Sequence, residues 1–258
     1  MNKKYVIPLV VVLLLITVGP LLGGQDPYEQ NLMHALQGPS SAHWLGTDQY
    51  GRDVLARVLL GGRLTIGTTV CIVGVATVVG AIAGILGGYK GGLWDWLVIR
   101  MGNLFLSLPT LVLAIALAAV LGGGLDKVAY IFIFLYIPKY ARLARSLTKS
   151  LQSAPFIHIA KLEGHGTFHI AWHYIGPMIG HALITTAALD MGVVLMELAG
   201  LSFLGLGAMP PTPEWGSMLS AGRSVMQTAP WLVLGPGLGL VLTVGAIQLA
   251  SEEWRRQV

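Results

Sequence analysis

The chain has 258 residues, of which 54% are hydrophobic and only 11% are charged, and its mean hydropathy is +0.71. A soluble domain carries roughly 25% charged residues, so this composition excludes an ordinary soluble domain and indicates a membrane protein. The formal net charge of +4 does not point to nucleic acid, because the basic residues gather at the ends of apolar segments. A single cysteine, Cys71, excludes a disulfide framework within the chain.

Six apolar segments are long enough to cross a bilayer as helices. A hydrocarbon core of roughly 30 Å needs about 20 apolar residues in helical conformation. We therefore predict an all-α membrane protein, one domain covering residues 1–258, with six transmembrane helices surrounded by lipid. The predicted spans are residues 5–22, 64–88, 96–121, 127–147, 174–200 and 231–250.

The distribution of Lys and Arg predicts the orientation. With the N-terminus in the cytoplasm, 11 of the 16 Lys and Arg residues, Lys139 among them, fall at cytoplasmic ends of spans. By the positive-inside rule, both termini are expected in the cytoplasm. On the opposite side, residues 23–62 place Leu55, Val58 and Leu59 at helical spacing, which predicts an amphipathic helix at the membrane interface.

Small residues recur every four positions in the second predicted span, at Ala76, Gly80, Gly84 and Gly88. This spacing places them on one helical face and predicts close contact with another helix.

A phosphate-binding loop is absent from the sequence. The nearest run, residues 87–92 (GGYKGG), lacks both the spacing and the hydroxyl residue of Gly-x-x-x-x-Gly-Lys-Ser/Thr. We therefore expect no cofactor in this chain and no ATP hydrolysis by that route.

Residues 139–177 form a basic stretch between apolar blocks, with Lys139, Arg142, Arg145, Lys149 and Lys161. Within this stretch, we call residues 150–173 the coupling segment. The run 156–166 (FIHIAKLEGHG) resembles the coupling segment of bacterial ABC importer permeases, in which Glu-Ala-Ala precedes a Gly and then a Pro thirteen residues on. Gly164 and Pro177 keep that spacing, and His158 stands at the usual position of the Glu. The resemblance implies two short helices, hinged at Gly164, that contact an ATPase. The residues it assigns to this contact are His158, Ala160, Lys161, Gly164, His165 and Gly166.

Residues 43–57 (HWLGTDQYGRDVLAR), which we call the outer motif, resemble the external signature of dipeptide, oligopeptide and nickel permeases of the second subunit type. Residues 201–207 with 210–216, and Arg100 with residues 108–110, resemble two further signatures of this group. The resemblance implies a type I ABC importer permease fold with cytoplasmic coupling helices. Its outer residues are Gly46, Thr47, Asp48, Gly51, Arg52 and Asp53.

The resemblance also implies partners and a location. A second homologous permease would complete a heterodimer, two cytoplasmic ATPases would carry ATP and Mg, and an extracytoplasmic binding protein would deliver substrate. The expected location is the bacterial cytoplasmic (inner) membrane. The alternatives are an intramembrane enzyme, which the lack of a Gly-x-Ser-x-Gly or His-Glu-x-x-His run disfavours, and a self-contained channel, which the coupling segment disfavours.

Charged residues of the outer motif recur four or five positions apart. Asp48, Arg52, Asp53 and Arg57 therefore predict ion pairs on a helix. A platform beneath the binding protein is the compatible functional interpretation.

Two acidic residues lie well inside predicted spans, Asp190 and Glu197, seven positions apart. Charges at this depth normally face the bundle interior or water. They are predicted either to line the translocation path, with His181 loosely on the same side, or to make interhelical hydrogen bonds.

His165, His169 and His173 recur every four residues. They form either a polar face at a protein interface or a metal site. We assign no metal site, except for a transient contact of a cationic substrate with Asp190. An acidic residue in the translocation path would attract a cation, and the runs at 189–192 and 164–166 resemble those of nickel permeases. The expected substrate is therefore nickel or a nickel chelate, with dipeptides or oligopeptides as the alternative.

Overall fold

The computed structural model describes residues 25–256, together with Val10, Leu14 and Gly19, and beyond Glu253 it describes the backbone alone. In this part of the chain the regular structure is helical. The continuous run Thr167–Phe203 counts as one helix and includes a π-helical segment at Ile170–Ile175. In chain order the helices are α1 (Val54–Lys90), α2 (Gly92–Leu106), α3 (Thr110–Leu121), α4 (Leu125–Leu151), α5 (Pro155–Leu162), α6 (Thr167–Phe203), α7 (Trp215–Arg223) and α8 (Trp231–Arg256).

Three of these helices, α1, α6 and α8, are long and apolar enough to cross a membrane. They contain the predicted spans 64–88, 174–200 and 231–250. The pair α2 and α3 adds a fourth if it is counted as one broken span. The predicted span 127–147 lies in α4, which is not among these candidates. The predicted span 5–22 lies outside the described residues, apart from three isolated positions, so the count of six spans stays a prediction.

The predicted span 96–121 is broken rather than continuous. α2 ends at Leu106, α3 begins at Thr110, and the two helices are bent by 88°. Pro109 lies at the break as the N-cap of α3. Proline has no backbone N–H to donate and clashes with the preceding helical turn, which accounts for the end of α2.

The stripe of small residues on α1 packs against α4, as its spacing predicts. A Cβ added to Gly80 would lie 2.6 Å from the Cβ of Tyr140, and one added to Gly84 would lie 2.3 Å from the carbonyl of Ala141. Only glycine permits this approach of the two backbones. The backbones of α1 and α4 are therefore in close contact along this stripe.

The predicted amphipathic helix in residues 23–62 is instead the beginning of α1. The helix starts at Val54, where Asp53 caps it, and continues without a break to Lys90. Its 37 residues extend over about 55 Å, longer than the roughly 30 Å hydrocarbon core. The first turns of α1 and the predicted span 64–88 therefore form one continuous helix.

The core is centred on α4. Phe132, Tyr136 and Tyr140 are at most 5% exposed and pack in one cluster with Val194 and Leu198 of α6. A second cluster surrounds Trp215, the first residue of α7, and includes residues of α1, α6 and α8. Both clusters include residues of α6, and Met191 packs against both.

Candidate functional site

The charged residues of the outer motif form a buried ion-pair network. Asp48 Oδ2 lies 2.7 Å from Nε of Arg52 and 3.5 Å from Nε of Arg57. Arg57 also donates to the carbonyls of Pro27, at 2.9 Å, and Pro211, at 3.3 Å. The predicted pair of Asp48 with Arg52 is therefore confirmed, but both residues lie in a turn before α1 rather than on a helix. Arg57 pairs with Asp48, nine positions away, and not with Asp53, which lies against His43.

Thr47 and Asp53 close this turn. Thr47 Oγ1 accepts the backbone N–H of Gln37 at 2.9 Å. Asp53 Oδ1 accepts the N–H of Ala56 at 2.7 Å and so caps α1, while its Oδ2 lies 2.8 Å from Nδ1 of His43. Both side chains are buried. Hydrogen bonds from backbone N–H groups to these buried side-chain oxygens stabilise the turn.

Two glycines of the outer motif have backbone conformations that other residues rarely adopt. The φ angle is +70° at Gly46 and +72° at Gly51. A Cβ at Gly51 would also lie 1.8 Å from the carbonyl oxygen of Asn31, and one at Gly46 would lie 2.5 Å from that of Gln37. All six residues predicted in the outer motif therefore belong to one tightly packed turn.

The outer motif meets the second signature, residues 210–216, although more than 150 positions separate them in sequence. Both contribute to the lining of a cavity of about 130 Å³. Next to it, Glu214 is fully buried and accepts the Thr65 hydroxyl and the Ser217 N–H, each at 3.0 Å. Burial raises the pKa of Glu214 above its ordinary value of 4.5. The outer motif and residues 210–216 therefore pack together around the first turns of α1.

A polar cluster connects α4 and α6. Asp190 Oδ1 lies 2.7 Å from Nζ of Lys139, and its Oδ2 accepts the hydroxyl of Tyr140 at 3.0 Å. Two turns further along α6, Glu197 Oε2 accepts the hydroxyl of Tyr136 at 2.9 Å. We call Lys139, Asp190, Glu197 and these two tyrosines the polar cluster. Asp190 and Glu197 share a face, as their spacing predicts, and that face meets α4.

His181 lies apart from the polar cluster. Nine residues of helix separate it from Asp190, which corresponds to about 13 Å along the axis. Lys139 was not among the predicted path residues, since its charge counted only as an orientation signal. Its position within a predicted span, 127–147, is the feature of the sequence that indicates a buried partner.

The coupling segment contains two helical pieces separated by a turn, as predicted. α5 ends at Leu162, and the backbone N–H of Gly164 bonds to the carbonyl of Lys161 at 3.1 Å. Gly164 has a φ of +81°, and a Cβ there would meet open space. Gly166 then caps α6 with a φ of −69°. The hinge therefore requires the backbone freedom of glycine at position 164 rather than its small size.

The coupling segment exposes four large apolar side chains. Leu162 is 88% exposed and Phe168 is 75% exposed, while Ile159 and Trp172 are more than half exposed. Among the predicted contact residues, His158, Lys161, Gly164 and Gly166 are exposed, His165 is half-buried, and Ala160 is buried. The apolar pairs Ile159–Leu162 and Phe168–Trp172 are three and four positions apart, a spacing that places each pair on one helical face.

The three histidines of the coupling segment share one face, as their spacing predicts. The ring of His169 stacks on His165, with centroids 4.3 Å apart, and on His173, with centroids 4.2 Å apart. Glu163 Oε2 lies 3.4 Å from His165 Nε2. Within the described residues no group of three or more His, Cys, Asp or Glu side chains is arranged to hold a metal ion.

These features define the class of the protein. Residues 76–252 match the family of binding-protein-dependent transport system inner membrane components. The match covers 177 of 258 residues, more than half of the chain, so the chain belongs to this family. It is a permease subunit of an ABC importer with the type I permease fold.

Proteins similar to this chain include permeases named for dipeptides and for glutathione. The chain is 38% identical to the dipeptide transport system permease protein DppC of Alkalihalophilus pseudofirmus, over 98% of this chain and 84% of that protein. It is 36% identical to the probable D,D-dipeptide transport system permease protein DdpC of Escherichia coli, over 95% and 82%. It is 37% identical to the glutathione transport system permease protein GsiD of Pectobacterium atrosepticum, over 85% and 73%.

The relatives are permease subunits, so this chain is a transport subunit and not the ATPase of the importer. It is a multi-pass membrane protein of the dipeptide and oligopeptide group. The expectation of a nickel permease is not confirmed, because the relatives described above are named for dipeptides and glutathione.

Proposed function

We propose that this chain forms half of the translocation path of an importer for short peptides. The observation that carries the proposal is the near full-length similarity to permeases named for dipeptide transport. The outer motif and the second signature, which belong to this group of permeases, also fold here into one unit.

The pairing of Asp190 removes the observation that favoured nickel. The hypothesis of a cation path rested on Asp190 as a negative charge available to a passing ion. Asp190 instead forms an ion pair with Lys139 at 2.7 Å, and its second oxygen accepts from Tyr140. A metal cation would meet the ammonium group of Lys139 beside the carboxylate, and like charges repel.

The proposed assembly is a heterodimer with a second homologous permease, two cytoplasmic ATPases that carry ATP and Mg, and an extracytoplasmic binding protein. The exposed apolar residues of the coupling segment would fill a groove on one ATPase. Closure of the ATPases would draw the coupling segments together and shift the two permeases between inward-open and outward-open states. The outer motif would serve as a platform for the binding protein, and both termini would lie in the cytoplasm. Residues 1–258 would form one permease domain.

Uptake by cells that carry the complete transporter tests this proposal. Radiolabelled dialanine and radioactive nickel are compared in the wild type and in a strain whose permease has Gly164→Trp, which alters the proposed hinge. We expect dialanine uptake in the wild type, loss in the variant with the complex still assembled, and no transporter-dependent nickel uptake. Nickel uptake without dialanine uptake would contradict the proposal and restore the nickel hypothesis.

A further inference from the structure

The polar cluster carries both signs of charge at the centre of the fold. Lys139 is 14 residues from the beginning of α4, and Asp190 is 13 residues from the end of α6. At 1.5 Å per residue, each lies about 20 Å from the helix end that we assign to the outer side. We place those helix ends at the outer edge of the hydrocarbon core, which is roughly 30 Å thick, and both side chains then lie inside it.

Lys139 is not enclosed by this chain. Its side chain remains 39% exposed, whereas that of Asp190 is 10% exposed. An ammonium group that faced lipid at this depth would be strongly unfavourable, so its open side must face water or another protein surface. In a permease that forms half of a path, that open side is where a passing solute would contact the chain.

The acidic members of the polar cluster are not equivalent. Both oxygens of Asp190 are engaged, one by Lys139 and one by Tyr140. Glu197 is half-buried, and the hydrogen bond described for it, from Tyr136, engages only Oε2. The cluster therefore presents an ammonium group and a carboxylate oxygen on one face, separated by the ring of Tyr136, whose centroid lies 5.7 Å from Nζ of Lys139.

We propose that this face is a transient contact site for the two charged ends of a peptide zwitterion. Lys139 attracts the peptide carboxylate, and Glu197 attracts the peptide ammonium group. The inference rests on the proposed peptide import and adds to it the residues that recognise the ends of the peptide. Because Lys139 stays paired with Asp190, its attraction for the carboxylate is weak, as passage through the membrane requires.

Three probes separate this role from a purely structural ion pair. Dialanine carries both charges, its C-terminal amide carries only the positive charge, and its N-acetyl derivative carries only the negative charge. Transport of each is measured in vesicles that contain the complete transporter, with the binding protein saturated by that peptide. Because the binding protein is saturated, its selectivity does not affect the comparison. The transport rates of two probes are compared within one vesicle preparation, so their ratio needs no correction for the amount of protein.

The wild type should transport dialanine about fivefold faster than either derivative, the effect expected of a partly exposed charge contact. In the double variant Lys139→Met/Asp190→Asn, which removes both members of the ion pair together, the ratio of dialanine to the amide should fall to about one. The ratio of dialanine to the N-acetyl derivative should persist. Glu197→Gln should give the opposite pattern, and Lys139→Arg should preserve both ratios.

Two results would overturn the inference. One is an equal decrease in all three rates in both variants, which identifies the cluster as structural. The other is a wild type that does not distinguish the three probes. Both leave the proposed function intact as long as dialanine is transported. Absence of dialanine uptake in the wild type contradicts the proposed function itself.

Discussion

The outer motif and the coupling segment each contain glycines with positive φ, but their surroundings are opposite. Gly51 is in contact with the backbone of Asn31, and charged side chains around it are buried in ion pairs. Gly164 borders open space, and the apolar side chains near it point outward. The first region is complete within this chain, whereas the second exposes the kind of surface that a partner covers. Glycine with a positive φ therefore stabilises the fold in the outer motif, whereas in the coupling segment it lies within the surface that we propose contacts the ATPase.

The largest effect is expected from Gly51→Ala. The new Cβ would need a positive φ and would overlap the carbonyl of Asn31, so the turn must rearrange. A strained backbone and a steric clash together should cost about 3 kcal/mol or more of folding free energy. The melting temperature of the purified complex measures this cost. A variant with wild-type stability would show that the turn is mobile and would remove the contrast between the two regions.

Asp48→Asn should come next. The substitution leaves the buried guanidinium groups of Arg52 and Arg57 without their carboxylate. Removal of one partner from a buried ion pair costs about 3 kcal/mol, because the remaining charge is desolvated and uncompensated. Asp26→Asn, at an exposed position, is the matched control and should change stability by less than about 0.5 kcal/mol. Equal melting temperatures for both variants would contradict a structural role of the network.

In the coupling segment, Leu162→Glu should affect transport and not stability. The side chain is 88% exposed, so the fold loses almost no buried area. The proposed contact with the ATPase loses an apolar group and gains a charge, which should lower dialanine uptake about tenfold. Glu163→Gln, at the adjacent exposed position, is the control. Normal uptake by the Leu162 variant would place the contact elsewhere.

Gly164→Ala should have a smaller effect. Alanine at a φ of +81° is strained but meets no neighbouring atom, so the cost is about 1 kcal/mol and remains local. Gly166→Ala is a close control, because Gly166 has an ordinary φ of −69° and equally open surroundings. Uptake should therefore decrease for position 164 and not for position 166. Equal uptake by the two variants would show that the hinge does not depend on this conformation.

The sequence was informative where one helix explains the pattern by itself. The stripe from Ala76 to Gly88 needs only a helical period, and α1 packs on α4 through it. The bend at Pro109 was visible in principle, but the apolar run on both sides of it dominated the prediction of a continuous span. Hydropathy is averaged over a window of residues, whereas a single proline, which lacks a backbone N–H, is enough to end a helix.

Pairings between distant segments could not be obtained from local spacing. Lys139 and Asp190 are 51 positions apart, and each alone permits several interpretations. From the sequence, Lys139 was interpreted as an orientation signal, and Asp190 either as a residue of the translocation path or as a partner in an interhelical hydrogen bond. The nickel hypothesis followed from the first interpretation of Asp190. The same limit applies to Glu214 and Thr65, whose hydrogen bond connects segments 149 positions apart.

Glu214 gives the smallest expected effect, a dependence of stability on pH. Its pKa in the folded protein is raised by burial, so the folded state binds the proton more tightly than the unfolded state, whose pKa is near 4.5. The contribution of this group to stability is therefore full below about pH 4.5 and declines as pH rises towards the folded pKa. Melting temperatures across that range should fall more steeply with pH in the wild type than in Glu214→Gln, which cannot ionise. Glu29→Gln, at an exposed position, should retain the wild-type slope. If all three slopes agree, the hydrogen bonds from Thr65 and Ser217 offset the burial of the carboxylate. The contrast between the outer motif and the coupling segment would then be sharper. The outer motif and residues 210–216 would stabilise a buried charge through hydrogen bonds within this chain.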